Sequence, residues 1–427
     1  MSVPVRITCT AGRIEECARG LRPAHTAPDP DLSNIVARTI NDVRQAGDAA
    51  LVAHARQFGS PAFRADQLRV PARALARARD ELDPALTEAI SVAGAQVRAF
   101  AAAVRPGDRE VTLEHGQRIR LRSVPVAAAG CYVPGGRAAY PSSLVMAVVP
   151  AQVAGVGRIA VASPPGPDGL PADVVLAAAA ILGVDEVYAV GGAAAIAAFA
   201  VGTSTIAAVS VITGPGSLWV QEAKRQVSGV VGIDGFAGPS EVMIIADGSA
   251  DPSAIALDLL AQAEHGPDSV AALASDDARF LDAVAAVLAG EDAPRGAVTL
   301  VDCPDVDVAV ALAEAFAPEH LEICVRDSEP IVDRIRQAGA VFVGPNCATA
   351  YGDYVAGSNH VLPTGGAARF ASALGPSTYL RRMSIVEMPD SAVRALTPHL
   401  QRLAEAEGFG LHARSAAARD RNSEGTR

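Results

Sequence analysis

Aromatic side chains are scarce in this sequence. Phe, Tyr and Trp make up 4% of its 427 residues, with a single Trp. That weighs against an aromatic-rich β-sandwich and, with heavy use of alanine, points to helices packed closely on sheet. Paired cysteines are also missing: Cys9, Cys17, Cys131, Cys303, Cys324 and Cys347 are scattered, with no C-x-x-C. This argues against both a disulfide framework and a thiolate zinc site. Basic runs are absent, and the formal net charge is −11. Nucleic acid is therefore not an expected partner, since binding it needs a basic surface that releases counterions. No apolar run is long enough for a membrane span; the most apolar stretch, Leu144 to Pro164, is broken by Pro150, Gly155, Gly157 and Arg158. Met1-Ser2-Val3-Pro4-Val5-Arg6 lacks the apolar region of a signal peptide. The expectation is a cytoplasmic protein that uses neither membrane nor nucleic acid.

Half of the residues are hydrophobic, enough for a large core and more than one domain. Asp31 to Arg56 and Asp83 to Val104 carry apolar residues at helical spacing, and Val111 to Pro125 is more strand-like. From Ala127 short β-rich runs alternate with Ala-rich helical runs as far as Val227, and a second such series starts near Glu241 and reaches Val343. The second series includes a helix expected over Ile331–Ala338. Such βα alternation predicts parallel sheets covered by helices. The expected fold class is α/β, with two Rossmann-like parallel-sheet domains. Residues 1–30 form an N-terminal segment, and 31–126 a helical segment packed on the second α/β domain. Residues 127–236 form the first α/β domain, 237–380 the second, and 381–427 a small helical tail with a frayed end.

Polar groups break the apolar pattern at few places. Gly155-Val156-Gly157-Arg158-Ile159-Ala160 matches G-x-G-x-x-A but precedes a strand, so it reads as a turn. Gly214-Pro215-Gly216-Ser217 follows a strand and opens a helix, where backbone N–H groups meet phosphate or simply form a tight turn. Gly130 to Gly136 is similar, and Tyr132 there is either structural or packs on a flat ring. Gln262 and His265 are three apart at the end of a helix stopped by Gly266-Pro267, so both leave one face. Glu319-His320 joins a carboxylate to an imidazole, a pair suited to activating water and taking a proton, or else a solvated Glu beside a capping His. Asp353 lies in the polar loop Gly352 to His360, and Glu407 and His412 flank a Gly-x-Gly break in the last helix. His25, His54, His115 and His399 have no comparable company. A Gln/His/Asp/His set suits zinc, which takes N and O ligands.

Taken together these stretches resemble the histidinol dehydrogenase family, over most of the chain from Val36 to about Arg419. The carrying segments are Tyr132-Val133-Pro134-Gly135-Gly136, Gly191-Gly192-Ala193, Gly214-Pro215-Gly216, Glu222-Ala223-Lys224-Arg225 and Ala237-Gly238-Pro239-Ser240-Glu241. Further on come Gln262-Ala263-Glu264-His265, Glu319-His320-Leu321, Gly357 to Thr364, and Glu407 with His412. The resemblance implies a homodimeric enzyme using zinc and NAD, which oxidises the amino alcohol L-histidinol to the aldehyde and then to the acid, reducing two NAD. By family position Gln262, His265, Asp353 and His412 hold zinc and contact substrate. His320 is the general base, in contact with substrate, and Glu319 activates water. Ser240 and Glu407 bind substrate, and Tyr132 helps hold NAD. The C-terminal segment crosses to the partner subunit, so Glu407 and His412 serve the other chain's site.

Two positions depart from the family. Ala194 stands where the family usually has Gln, and Ser217 where it usually has Asn. Both positions touch NAD in the family, and losing two polar contacts weakens cofactor binding roughly ten- to a hundredfold. Two other readings stay open: a paralogue acting on a different polar or amino alcohol, and a zinc hydrolase in which Glu319 activates water on a fixed metal.

Overall fold

The computed structural model describes residues 4–22, 30–135, 138–236, 238–291 and 297–422. His25, Gly136, Ala237 and the tail from Ser423 lie outside the described residues. The chain divides into two compact units. One holds the chain up to Val104 together with Val126–Tyr379; the other holds Arg105–Pro125 and the chain from Leu380.

The first unit opens with β1 (Val5–Thr8) and α1 (Ile14–Leu21), then α2 (Pro30–Ala46), α3 (Asp48–Phe58), α4 (Ala72–Glu81) and α5 (Pro84–Val104). After β2 (Arg109–Thr112) and β3 (Arg118–Pro125), which belong to the second unit, comes the first βα series. It runs β4 (Ala128–Tyr132), α6 (Pro141–Ala154), β5 (Arg158–Ser163), α7 (Asp173–Ile181) and β6 (Val187–Ala189), then α8 (Gly192–Val201), β7 (Val211–Thr213), α9 (Leu218–Val227) and β8 (Gly232–Ile233). The five strands pair in parallel in the order β6-β5-β4-β7-β8. Gly155 caps α6 in the left-handed region, the turn that the sequence indicates.

Helices α6 and α8 are buried on almost every face. A helix apolar all round needs cover on both sides, and here the sheet supplies only one. The outer layer is N-terminal: α2 packs on α8 and α9, α4 on α7, and α5 on α6. This corrects the expectation that residues 31–126 cover the second α/β domain. The apolar stripe of α2 (Val36, Ile40, Val43) shows which face is buried, not what buries it.

The second series runs β9 (Glu241–Ala246), α10 (Pro252–Ala263), β10 (Val270–Ser275), α11 (Ala278–Gly290), β11 (Ala297–Asp302) and α12 (Val306–Phe316), then β12 (His320–Cys324), α13 (Glu329–Val332), β13 (Ala340–Val343) and α14 (Thr349–Tyr354). Its sheet is parallel, in the order β1-β11-β10-β9-β12-β13, with β1 added at the far edge beside β11. One face carries Ile255, Leu259, Phe280 and Leu281 from α10 and α11; the other carries Cys17 and Leu21 from α1 with Leu312 and Phe316 from α12. The helix expected over Ile331–Ala338 stops after α13, because the Glu314 carboxylate accepts the backbone N–H groups of Arg336 (2.8 Å) and Gln337 (3.1 Å).

In the second unit β14 (Leu380–Glu387) pairs antiparallel with β3, and β3 with β2. The tail is therefore not wholly helical: a strand precedes α15 (Asp390–Ala406) and α16 (Gly410–Asn422), which pack on each other. No helix among the described residues is long and apolar enough to cross a membrane.

Candidate active site

Strands β9 and β12 are neighbours and start level, His320 pairing with Val242. Just before β12, Ala317 ends α12 at φ 49°, the one positive φ outside glycine among the described residues. That turn delivers Pro318-Glu319-His320 to the amino edge of the sheet. Arg22 fastens the same corner: its guanidinium meets the Glu241 carboxylate at 2.6 and 2.9 Å, donates to the carbonyls of Phe316 and Ala317, and lies over the Phe316 ring.

Glu319 Oε2 accepts from Ser240 Oγ (2.7 Å) and from the Glu241 backbone N–H (2.9 Å). Burial pushes this carboxyl above the usual carboxylate range, against the opposing pull of His320 and the two donors. His320 is 3% exposed, and its Nδ1–H donates to the Glu241 carbonyl at 3.1 Å. A carbonyl can only accept, so Nδ1 keeps its proton and Nε2 is the atom that gains and loses one. That Nε2 has no hydrogen-bond partner and faces Asp353 Oδ1 at 3.5 Å. Burial alone would lower the His320 pKa; the charges of Glu319 and Asp353 outweigh it and raise it to about 9.

Helix α10 starts at Asp251, whose side chain accepts the Ser253 N–H, with Pro252 in its first turn. It ends beside the same edge. Gln262 is buried at 4%, its Oε1 is 3.5 Å from Ser240 Oγ, and its Nε2 has no partner. His265 is exposed, with Nδ1 3.2 Å from the Gln262 carbonyl. Asp353, on α14, is fixed through its own carbonyl, which accepts from His360 Nδ1 at 2.8 Å; His360 Nε2 reaches Ser143 Oγ at 3.2 Å. Burial would raise the Asp353 pKa, but His320, His360 and His265 together bring it below the ordinary value.

Ser240, Gln262, Glu319, His320 and Asp353 are therefore brought together, with His265 within electrostatic reach of Asp353. No cluster of three or more His, Cys, Asp or Glu side chains able to hold a metal occurs among the described residues. The donors present still fit a cation. Amide O and N exchange by a flip of the side chain, and a flipped Gln262 would turn a buried oxygen into the position that no protein group answers. With Asp353 and His265 that makes two oxygen donors and one nitrogen, a partial shell of the kind zinc accepts. Glu407 and His412 lie in the second unit and are exposed; Glu407 caps α15, and the His412 ring stacks on Phe409 at 5.1 Å.

A different kind of surface forms at the carboxyl edge of the first sheet. Strand order reverses there between β4 and β7, the place where open α/β sheets bind ligands. Tyr132 ends β4 but is only 4% exposed; its hydroxyl accepts the Gly192 N–H at 3.1 Å, so it shapes a turn rather than offering a free ring face. Gly214 follows β7 at φ +116°, and a Cβ there would stand 2.0 Å from the Tyr132 carbonyl oxygen, so only glycine fits. Gly214 itself is buried, and the turn it opens runs through the half-buried Pro215-Gly216 to the exposed N-terminus of α9, where a phosphate-bearing ligand can be received. Ala194 is fully buried, and Ser217 is an exposed N-cap whose side chain makes no cap bond.

The sequence reading missed several polar groups that support these sites: Arg22, Asp258, Glu322 and Asp234. Asp258 could have been found by spacing, four residues before Gln262 on the same helix.

Comparison with known proteins bears on what such a site does. The family model for histidinol dehydrogenase matches residues 23–420. A histidinol dehydrogenase of Ruegeria pomeroyi is 45% identical over 416 residues, covering 95% of this chain and 96% of the relative. One of Parasynechococcus marenigrum is 42% identical, covering 95% and 94%. The crystal structure of histidinol dehydrogenase from Elizabethkingia anophelis superposes with a TM-score of 0.93 at 29% identity, covering 99% of both chains.

Proposed function

The chain belongs to the histidinol dehydrogenase family, and from that premise we propose that it oxidises L-histidinol through the aldehyde to L-histidine at the Glu319–His320 edge. The balance is one alcohol, one water and two NAD giving one carboxylate, two NADH and three protons. The observation that carries this reading is the buried His320 Nε2, which has no hydrogen-bond partner and faces the Asp353 carboxylate, while Glu319 lies against Nδ1 of the same ring.

NAD would accept the hydride of each oxidation, held at the carboxyl edge of the first sheet, where the Gly214-Pro215-Gly216 turn leads to the exposed N-terminus of α9. Zinc on Gln262, His265, Asp353 and a partner's His412 would anchor the amine and imidazole of the substrate. His320 takes the hydroxyl proton as the alcohol is oxidised, and later a proton of the hydrate. Glu319, held by Ser240 and the Glu241 N–H, draws a proton from the water that adds to the aldehyde carbon. Ser240 and Glu407 bind substrate.

The C-terminal helices support a second copy of this chain as partner. Leu403 (67% exposed), Phe409 (52%) and Leu411 (74%) flank Glu407 and His412 and are apolar groups that a partner would cover.

Substituting the two acid–base groups separates the half-reactions. His320→Asn should lower the first oxidation by about a hundredfold or more. Glu319→Gln should oxidise the alcohol and release or retain aldehyde. If Glu319→Gln formed histidine at the normal rate, its role would be refuted.

A further inference from the structure

Of the 36 Lys and Arg residues in the chain, one is a lysine, Lys224. It is also fully buried, on the inward side of α9. Its ammonium pairs with Asp234, whose side chain is 4% exposed, and donates to the Gly214 carbonyl at 2.9 Å. Asp234 Oδ2 accepts the Gly214 N–H at 2.7 Å. Both peptide groups of Gly214 are therefore gripped by one buried ion pair. Arginine serves at every other basic position, yet its wide planar fork does not replace a compact ammonium in a closed site. A buried ion pair is weak support for stability, since desolvation offsets much of its attraction; its value lies in fixing geometry.

We infer that Lys224 and Asp234 are positioning residues for the cofactor: they hold the Gly214-Pro215-Gly216 turn in the shape that receives the dinucleotide. The coupling continues outward. Gly214 packs on the Tyr132 carbonyl, and the Tyr132 hydroxyl holds the Gly192 N–H. Two turns of the carboxyl edge thus depend on the same buried pair, whereas Glu319, His320, Gln262, His265 and Asp353 belong to the other βα series. The inference rests on the reading of this edge as the NAD site.

The test uses the zinc-loaded full-length protein and measures NAD and L-histidinol affinity separately by calorimetry. The double variant Lys224→Met with Asp234→Asn leaves no unpaired buried charge. It should weaken NAD binding about tenfold or more while zinc content and L-histidinol affinity stay unchanged. Lys224→Arg should fail to restore NAD affinity. The milder Asp234→Asn alone keeps an acceptor for the Gly214 N–H, and a selective loss of NAD affinity is expected there too. Unchanged NAD affinity, or equal loss for both ligands, overturns the inference. Photolabelling of the unaltered protein with an azidoadenine analogue of NAD separates the two levels. Labelling outside residues 127–236 removes the NAD reading and the inference with it; labelling inside that range, with unchanged affinity in the variants, removes the inference alone.

Discussion

Glu322 lies two residues beyond His320 on β12 and is wholly buried. One of its oxygens accepts from the N–H (2.7 Å) and hydroxyl (2.6 Å) of Thr349; the other, Oε2, has no partner. Asp258 on α10 faces it, and burial together with the Glu322 charge raises Asp258 from 3.8 to about 7. A proton on Asp258 answers the unpaired oxygen. His320 and Cys324, on the same strand, are the other titratable groups facing the pair. Because the folded state holds this proton more tightly than the unfolded chain does, the contribution of Asp258 to stability is full below its ordinary pKa. It declines as pH rises towards about 7 and is level above that. Asp258→Asn carries a permanent donor and should remove this decline. Denaturant midpoints of variant and parent, measured between pH 4 and 8 without metal, should diverge in the variant's favour as pH rises to about 7. Parallel profiles would contradict the shared proton. Glu319, His320 and Gln262 were legible because each interrupts an apolar pattern at the end of an element, and Asp353 because it sits in a run dense in polar and turn residues. Glu322 was not, since Leu321-Glu322-Ile323 reads as alternation with one wet face. In a parallel sheet covered on both sides, that face is dry.

Helix α14 brings Asp353 to His320 only because it lies very close to β13. A Cβ on Gly352 would come within 2.5 Å of the Phe342 ring, which itself stands 5.9 Å from the His320 ring. Gly352→Ala should therefore lift α14, cost about 1–3 kcal/mol of stability, and move Asp353 away from the base. Stability and turnover should fall together; an unfolding midpoint and kcat/KM both equal to the parent's would refute the close-packing account. Among elements, the βα alternation from Ala127 onward could be read from period and glycine placement. The short α13 could not, since the Glu314 side chain that ends it comes from the preceding helix. Nor could β1, a four-residue strand that pairs with residues 299–302, far along the chain.

The layering of the whole molecule was half legible. Two parallel sheets follow from two βα series, but where the N-terminal helices go depends on which sheet's helices lack an outer cover. The signal for it is the all-round apolar character of α6 and α8, which shows that both need cover but not which helices provide it. The sharing of sites between two copies is a proposal at this scale, and complementation tests it. His265→Ala and His412→Ala should each lose zinc and activity. Mixed under subunit exchange, they should recover roughly a quarter of the parent activity, from heterodimers with one intact site each. No recovery despite heterodimer formation would place Glu407 and His412 in their own chain's site or in none.

In the proposed reaction one edge, Glu319 with His320, serves two successive oxidations. Its most direct test is to count NADH formed per L-histidinol consumed by the zinc-loaded protein with excess NAD. Two NADH and one L-histidine are expected for each L-histidinol. One NADH with the aldehyde as end product, or none, would contradict it.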